Sequence, residues 1–249
     1  MFLDHYAAIT LNAFQMNTEN REQIVYYQIL IILLRLIGRL AFPIFGFLIV
    51  NGYKHTRNPY KYCFRLLVFA LISEPFFDYA FSNQLINMNQ QNIFFTLALG
   101  LVTIAGLDVI KKKYSMMMAT FWVVMMGYLS EFLNFDYGFY GIVMIAIMCV
   151  YFKNYKKMGL ALLILNVTFI FPSFLILSAR MYQKVGSLQN DVMEMNYLND
   201  IMGISQIFSL FAMTIIKRYN GEIGKHINKY LFYIFYPLHL FILTMMSAF

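Results

Sequence analysis

Charged residues are scarce in this 249-residue chain: Asp, Glu, Lys and Arg make up only 12% of it, where a soluble domain carries about 25%. Hydrophobic residues make up 61%, aromatics 18%, and the mean hydropathy is +0.62. So little polar surface cannot cover a water-facing globule, which excludes a soluble domain and predicts an integral membrane protein. Cysteine is nearly absent too. Cys63 and Cys149 both fall in or near apolar runs, so neither a disulfide framework nor a cysteine metal site is expected. The chain contains no phosphate-cradling glycine loop, no Gly-x-Ser-x-Gly turn and no His-x-x-x-His pair, which removes the commonest signatures of nucleotide, serine-hydrolase and zinc chemistry. Internal repeats and low-complexity tracts are missing as well.

What is present is a series of long apolar runs. About 20 mainly apolar residues are needed for a helix to cross about 30 Å of hydrocarbon. Such runs fall at 25–50, 60–81, 92–110, 114–133, 137–152, 158–178, 201–216 and 230–248. They predict an all-α, polytopic transmembrane helix bundle of eight to nine spans, forming a single domain over 1–249. The opening run "MFLDHYAAITLNAF" makes only about 21 Å of helix, short of a span. It is expected to be a half-helix, or a helix whose first residues lie upstream of Met1. It lacks the basic n-region and small-residue cleavage site of a signal peptide.

The loops set the expected orientation. Fourteen of the 19 Lys and Arg fall in four connections: Lys54 to Arg65, Lys111 to Lys113, Lys153 to Lys157, and Lys217 to Lys229. The alternate connections "SNQLINMNQQN" and "NFDYG" have none, and "NTENREQ" has only Arg21. The positive-inside rule puts the basic loops, including 217–229, in the cytoplasm, and so explains the net charge of +7 without nucleic acid. In a bacterial cell this is the inner membrane. The connection from Ala179 to Asp200 then faces outside, where its length suits an interfacial helix better than a plain solvated loop.

Removing loop charges leaves Asp4, His5, Arg35, Arg39, Glu74, Asp78, Glu131 and His239 at membrane depth, with Asn92, Thr96 and Asn166 as neutral companions. A charge near a bilayer centre costs about 2.5–3.5 kcal/mol on insertion scales, so these groups should face the bundle interior and mark a functional cavity. Arg35 and Arg39 share one helix face at i,i+4, as do Glu74 and Asp78. Counted along their helices, Arg35 and Glu74 come within about one turn of the same depth, which predicts two arginines facing two carboxylates. His5 and His239 fall near the midplane, and histidine is the side chain best suited to move a proton near neutral pH. Asp4 lies about 100° round the helix from His5 and should pair with another helix.

The stretches "GRLAFPIFGFLIVNGYKHTRN", "RLLVFALISEPFFDYAF", "QNIFFTLALGL", "DYGFYG" and "FYIFYPLHL" together resemble, in order and over nearly the whole chain, the TraX family of bacterial membrane proteins. The family's conjugative member acetylates the N-terminus of pilin, and the wider group resembles multi-span acyltransferases that use cytoplasmic acyl-CoA and a membrane histidine near the first span. By position the resemblance implies site residues Asp4 and His5 in "LDHYA", Arg39 in "GRLAFP", Glu74 and Asp78 in "SEPFFD", Asn92 and Thr96 in "QNIFFT", Asp136 and Tyr137 in "DYG", and His239 in "PLHL".

Together these readings lead to an expected acetyl transfer in a cavity between the first, second, third and last spans. No tightly bound cofactor is expected. Acetyl-CoA is the expected co-substrate, with Lys54, His55, Arg57 and Lys61 at its phosphates, and a pilin-like peptide or a glycan is the acceptor. His5 is the expected general base and His239 a second candidate. Arg39 or Arg35 would stabilise the oxyanion or position the thioester, and Glu74 and Asp78 would hold the arginines. Two other classes stay open: a proton-coupled transporter, which the helix-interrupting Pro43, Pro75, Pro172 and Pro237 would suit, and a non-catalytic assembly factor of a conjugation or secretion system.

Overall fold

In the structure, a computed structural model, residues 1–185, 203–222 and 228–247 are described, side chains excepted at 180–185 and 229. The described residues form helices and no β-strand, with one isolated bridge between Gln91 and Phe135. We number the helices in chain order. Helix α1 covers 2–16, as the α-helical Phe2–Tyr6, a π-helical Ala7–Leu11 and the α-helical Asn12–Met16. It is followed by α2 (Arg21–Gly38), α3 (Ala41–His55), α4 (Pro59–Ser82), α5 (Ile93–Lys113), α6 (Met116–Phe132), α7 (Gly138–Val150) and α8 (Tyr155–Val185). The last two are α9, a 3₁₀ turn Ser205–Phe211 running into Ala212–Ile216, and α10 (Lys229–Ser247).

Short polar residues start these helices. The side chains of Asn20, Asn58, Asn92 and Ser115 each accept the N–H of a residue in the first turn that follows, at 2.9–3.3 Å. Such caps satisfy amides that would otherwise be left unbonded where a helix begins in or near lipid.

Among the described residues, four stretches are long and apolar enough to cross a membrane: Arg21–His55, Ile93–Lys113, Tyr155–Ala179 and Tyr230–Ser247. Three of the other expected spans are shorter apolar helices, Met116–Phe132, Gly138–Val150 and Ser205–Ile216. The remaining one, α4, has 24 residues but carries Lys61, Arg65, Glu74 and Asp78. Helix α7, only 13 residues long, is the core of the bundle: Ile142, Met144, Ile145 and Met148 are all buried, and the helix packs on α3, α5, α6 and α8.

The run containing Arg35 and Arg39 is interrupted where it matters. Between α2 and α3 the chain makes a turn at Arg39–Leu40. Pro43 explains it, because the ring has no N–H for the Arg39 carbonyl and crowds that oxygen. Pro75, Pro172 and Pro237 instead sit inside continuous helices. Gly38, at the end of α2, lies close against α1: a Cβ there would stand 2.4 Å from Asp4 Cβ. Small residues admit such close helix contacts. Helix α1 also packs on α10, while α2 packs on α1 and α9, and α4 on α5 and α10.

The outer segment expected from Ala179 to Asp200 lies, beyond Val185, outside the described residues. So does Lys225 of the last basic loop.

A buried polar chamber as the candidate active site

Around the α2–α3 break lies a cavity of about 660 Å³. Its wall combines Asp4 and His5 of α1, Arg35 and Arg39, Phe77 and Phe81 of α4, Asp136 and Tyr137 of the α6–α7 connection, Tyr140 of α7 and Tyr236 of α10. The wall thus draws on the first, second, third and last of the expected spans, and α7, α8 and α9 add a second side.

At one wall stand the two histidines. His5 Nδ1 lies 2.8 Å from His239 Nε2, and His239 Nδ1 lies 2.8 Å from the Phe235 carbonyl oxygen. A carbonyl only accepts, so in the neutral pair His239 carries its proton on Nδ1 and donates it to Phe235. His239 Nε2 then accepts the Nδ1–H of His5, which leaves the lone pair of His5 on Nε2. The tautomer follows from the hydrogen-bond network. His5 lines the chamber, and His239 stands behind it with 2% of its surface exposed. The π-helical turn Ala7–Leu11 follows His5 directly, and π turns are often found at functional sites.

The arginines do not face Glu74 and Asp78. Arg35 Nε is 3.4 Å from Asp4 Oδ1, and Arg39 Nε donates to Ser205 Oγ at 3.2 Å. Glu74 Oε2 accepts both the backbone N–H (3.2 Å) and the side-chain amide of Asn92. Asp78 Oδ2 accepts the Asn87 N–H at 2.7 Å. Equal depth is the wrong guide here, since α2 packs on α1 and α9 while α4 packs on α5 and α10. The Gly38 contact brings Asp4 to Arg35 first, so Asp4 does pair with another helix as its position predicts. Glu74 and Asp78 tie α4 to the 83–92 connection, and neither lines the chamber.

Asn92 and Thr96 belong to this framework. Asn92 caps α5 through Phe94 N–H (2.9 Å) and donates to the Ala70 carbonyl (2.8 Å). Thr96 Oγ1 donates to the Asp136 carbonyl. The Asp136 N–H reaches the Gln91 carbonyl at 2.9 Å, so Asp136 is pinned by two neighbours of the α5 N-terminus. Tyr137 adopts a left-handed backbone (φ 63°) and stacks on Phe42 with ring centroids 3.8 Å apart. For a bulky residue that conformation is uncommon and is held only by its surroundings. In the connection between helices, burial pushes the Asp136 carboxyl up to about 7 and nearby Asp4 adds to this, while the Tyr137 N–H (3.0 Å), Arg39 and Arg35 pull it back.

The basic residues expected to hold phosphates are not gathered at the chamber. Lys54 pairs with Asp108 at 2.9 Å, His55 Nδ1 meets the Asn51 carbonyl at 2.8 Å, and Arg57 and Lys61 are exposed around the α3–α4 turn. Among the described residues, no group of three or more His, Cys, Asp or Glu side chains is placed to hold a metal ion.

Sequence reasoning missed the neutral part of the site. Tyr140 is hydrogen-bonded by Gln206 (3.1 Å) and meets Asn166 (3.3 Å) and Ser209 (3.4 Å), linking α7, α8 and α9. Tyr236, with 1% of its surface exposed, packs its ring against both histidines. No charge marks either tyrosine in a chain with 19 of them.

The family described as "TraX protein" matches residues 1–247. The "Probable fimbrial assembly protein FimC, serogroup H1" of Dichelobacter nodosus is 26% identical over 224 residues, which is 87% of this chain and 83% of that protein. No solved structure matches. From the opening Asp-His pair to the closing histidine helix, this chain belongs to the TraX family.

Proposed function

We propose that the protein is a membrane-embedded acyltransferase that passes an acetyl or other acyl group from an acyl thioester to an amine or hydroxyl acceptor. The observation that carries this reading is the Phe235 carbonyl–His239–His5 chain ending on the wall of a buried chamber that also holds Arg35 and Arg39. A fixed tautomer leaves His5 Nε2 as the base, and His239 positions it rather than acting on substrate. The two arginines, balanced in part by Asp4, give the chamber a positive side that favours a thioester carbonyl gaining negative charge.

Acetyl-CoA is the co-substrate that the family resemblance implies, approaching from the cytoplasm past the basic α3–α4 turn. The acceptor enters from the other side. A smaller cavity of about 390 Å³, bounded by the 83–92 and 133–137 connections, shares Gln90, Asp136, Tyr137 and Tyr140 with the chamber and supplies that route. A relative named for fimbrial assembly fits a pilus or fimbrial subunit as acceptor, and the same name also favours a second reading, in which the protein assists assembly without catalysis.

Incubating the purified protein in detergent with acetyl-CoA and an amine-bearing peptide, and following free thiol and peptide mass together, separates the two. Stoichiometric thiol release and a gain of one acetyl group are expected. Absence of both, with the fold intact, leaves the assembly or transport reading.

A further inference from the structure

Next to the dyad, α10 carries a hydroxyl that nothing in the described fold uses. Tyr236 is 1% exposed, and its hydroxyl oxygen is buried without a hydrogen-bond partner. Buried tyrosine hydroxyls normally find one, and each exception asks for an explanation. The residue lines the chamber together with His5, with ring centroids 5.9 Å apart. Its ring also meets His239 (5.5 Å) and Phe94 (5.2 Å), which fix it from both sides.

The hydroxyl stands beside the Ile93 amide, the first residue of the 21-residue helix α5. The next two amides of that helix are already taken, Phe94 N–H by Asn92 Oδ1 and Phe95 N–H by the Asn92 carbonyl. A helix N-terminus is electropositive and presents amides without intrahelical acceptors. A phenol oxygen set against such an amide keeps its own O–H free to donate.

We infer that Tyr236 is the oxyanion donor of the acyl transfer, standing across from the general base His5. This rests on the acyltransferase reading above. The acceptor amine attacks the thioester carbonyl carbon, forming the new C–N bond while His5 Nε2 takes a proton from the nitrogen. The carbonyl π electrons move to oxygen, and that oxyanion accepts the Tyr236 O–H. Collapse re-forms the carbonyl and breaks the C–S bond, and the departing thiolate takes the proton from His5. Amide and free thiol are the products, with no redox change. Arg35 and Arg39, held by Asp4 and Ser205, then supply the field of the opposite wall rather than the direct contact.

The test compares wild type and Tyr236→Phe in detergent, with acetyl-CoA as thioester and an amine-bearing peptide as acceptor. Loss of one oxyanion donor should lower kcat about 100-fold while KM for the thioester changes less than about twofold. The thermal midpoint should move little, because the hydroxyl only stands against the Ile93 amide and makes no further hydrogen bond in the described fold. A kcat within about threefold of an active wild type overturns the assignment and leaves the acyltransferase reading standing. A well-folded wild type that transfers nothing overturns both readings.

Discussion

His5 and His239, 234 residues apart in the chain, share a hydrogen bond of 2.8 Å and lie with their rings within 6° of parallel. The bond closes the bundle, joining its first helix to its last. It also orders the two histidines: the one with a carbonyl behind it is the support, and the one on the chamber wall is the base.

That order predicts a non-additive pair. His239→Ala should lower kcat about 100-fold with little change in KM, because the tautomer and orientation of His5 are released. Adding it to His5→Ala should cost nothing further, since residues acting as a unit do not add. Steady-state rates of the two single variants and the double variant check this; additive losses would mean two independent bases.

Asp136 predicts a pH dependence of stability. Its carboxyl is raised in the fold to about 7, so the folded state holds a proton that an ordinary carboxylate has already released. The stabilising contribution is complete below the ordinary carboxylate pKa and is lost as pH rises through about 7. Thermal midpoints between pH 5 and 8.5 should fall across that window in wild type, and the fall should flatten in Asp136→Asn.

Asn92 predicts a separation of stability from chemistry. Asn92→Ala removes the α5 cap and the bond to the Ala70 carbonyl, and leaves Glu74 Oε2 with the backbone N–H alone. The expected loss is about 1–3 kcal/mol, read as a lower unfolding midpoint. The properly folded fraction should keep its turnover within about threefold, since neither side chain lines the chamber. A large kcat loss at full folding would return Glu74 to the chemistry.

Gly38 predicts a packing effect felt at the site. In Gly38→Ala the new methyl meets Asp4 Cβ at 2.4 Å and its carboxylate at 2.7 Å. Helix α1 must move, at about 1–3 kcal/mol. Because α1 carries His5, turnover should drop together with the thermal midpoint, whereas Gly159→Ala, whose new methyl meets only Met213 Cε at 4.0 Å, should leave turnover alone.

How far the sequence could be read depended on which physical signal each feature carries. Hydropathy and chain length reveal a helical membrane bundle because the bilayer imposes both, and a charge at membrane depth marks itself by its cost, so Asp4, His5, Arg35, Arg39 and His239 stood out at once. Partner choice did not follow, because equal depth does not say which helices are neighbours: Arg35 and Glu74 match in depth, yet Gly38 delivers Asp4 to Arg35. Family resemblance supplied Asp136 and Tyr137, which no spacing argument would have found on a short connection. Tyr140 and Tyr236 stayed hidden for another reason. An uncharged aromatic in a membrane helix looks like core until it is seen to line a chamber.

The central claim is that His5 moves the proton in an acyl transfer. The most direct measurement is the rate of acetyl transfer from acetyl-CoA by His5→Ala, purified in detergent and shown by its thermal midpoint to be folded, beside wild type. A loss of about 10²–10⁴-fold in kcat is expected. Turnover close to that of wild type in the folded variant would contradict it.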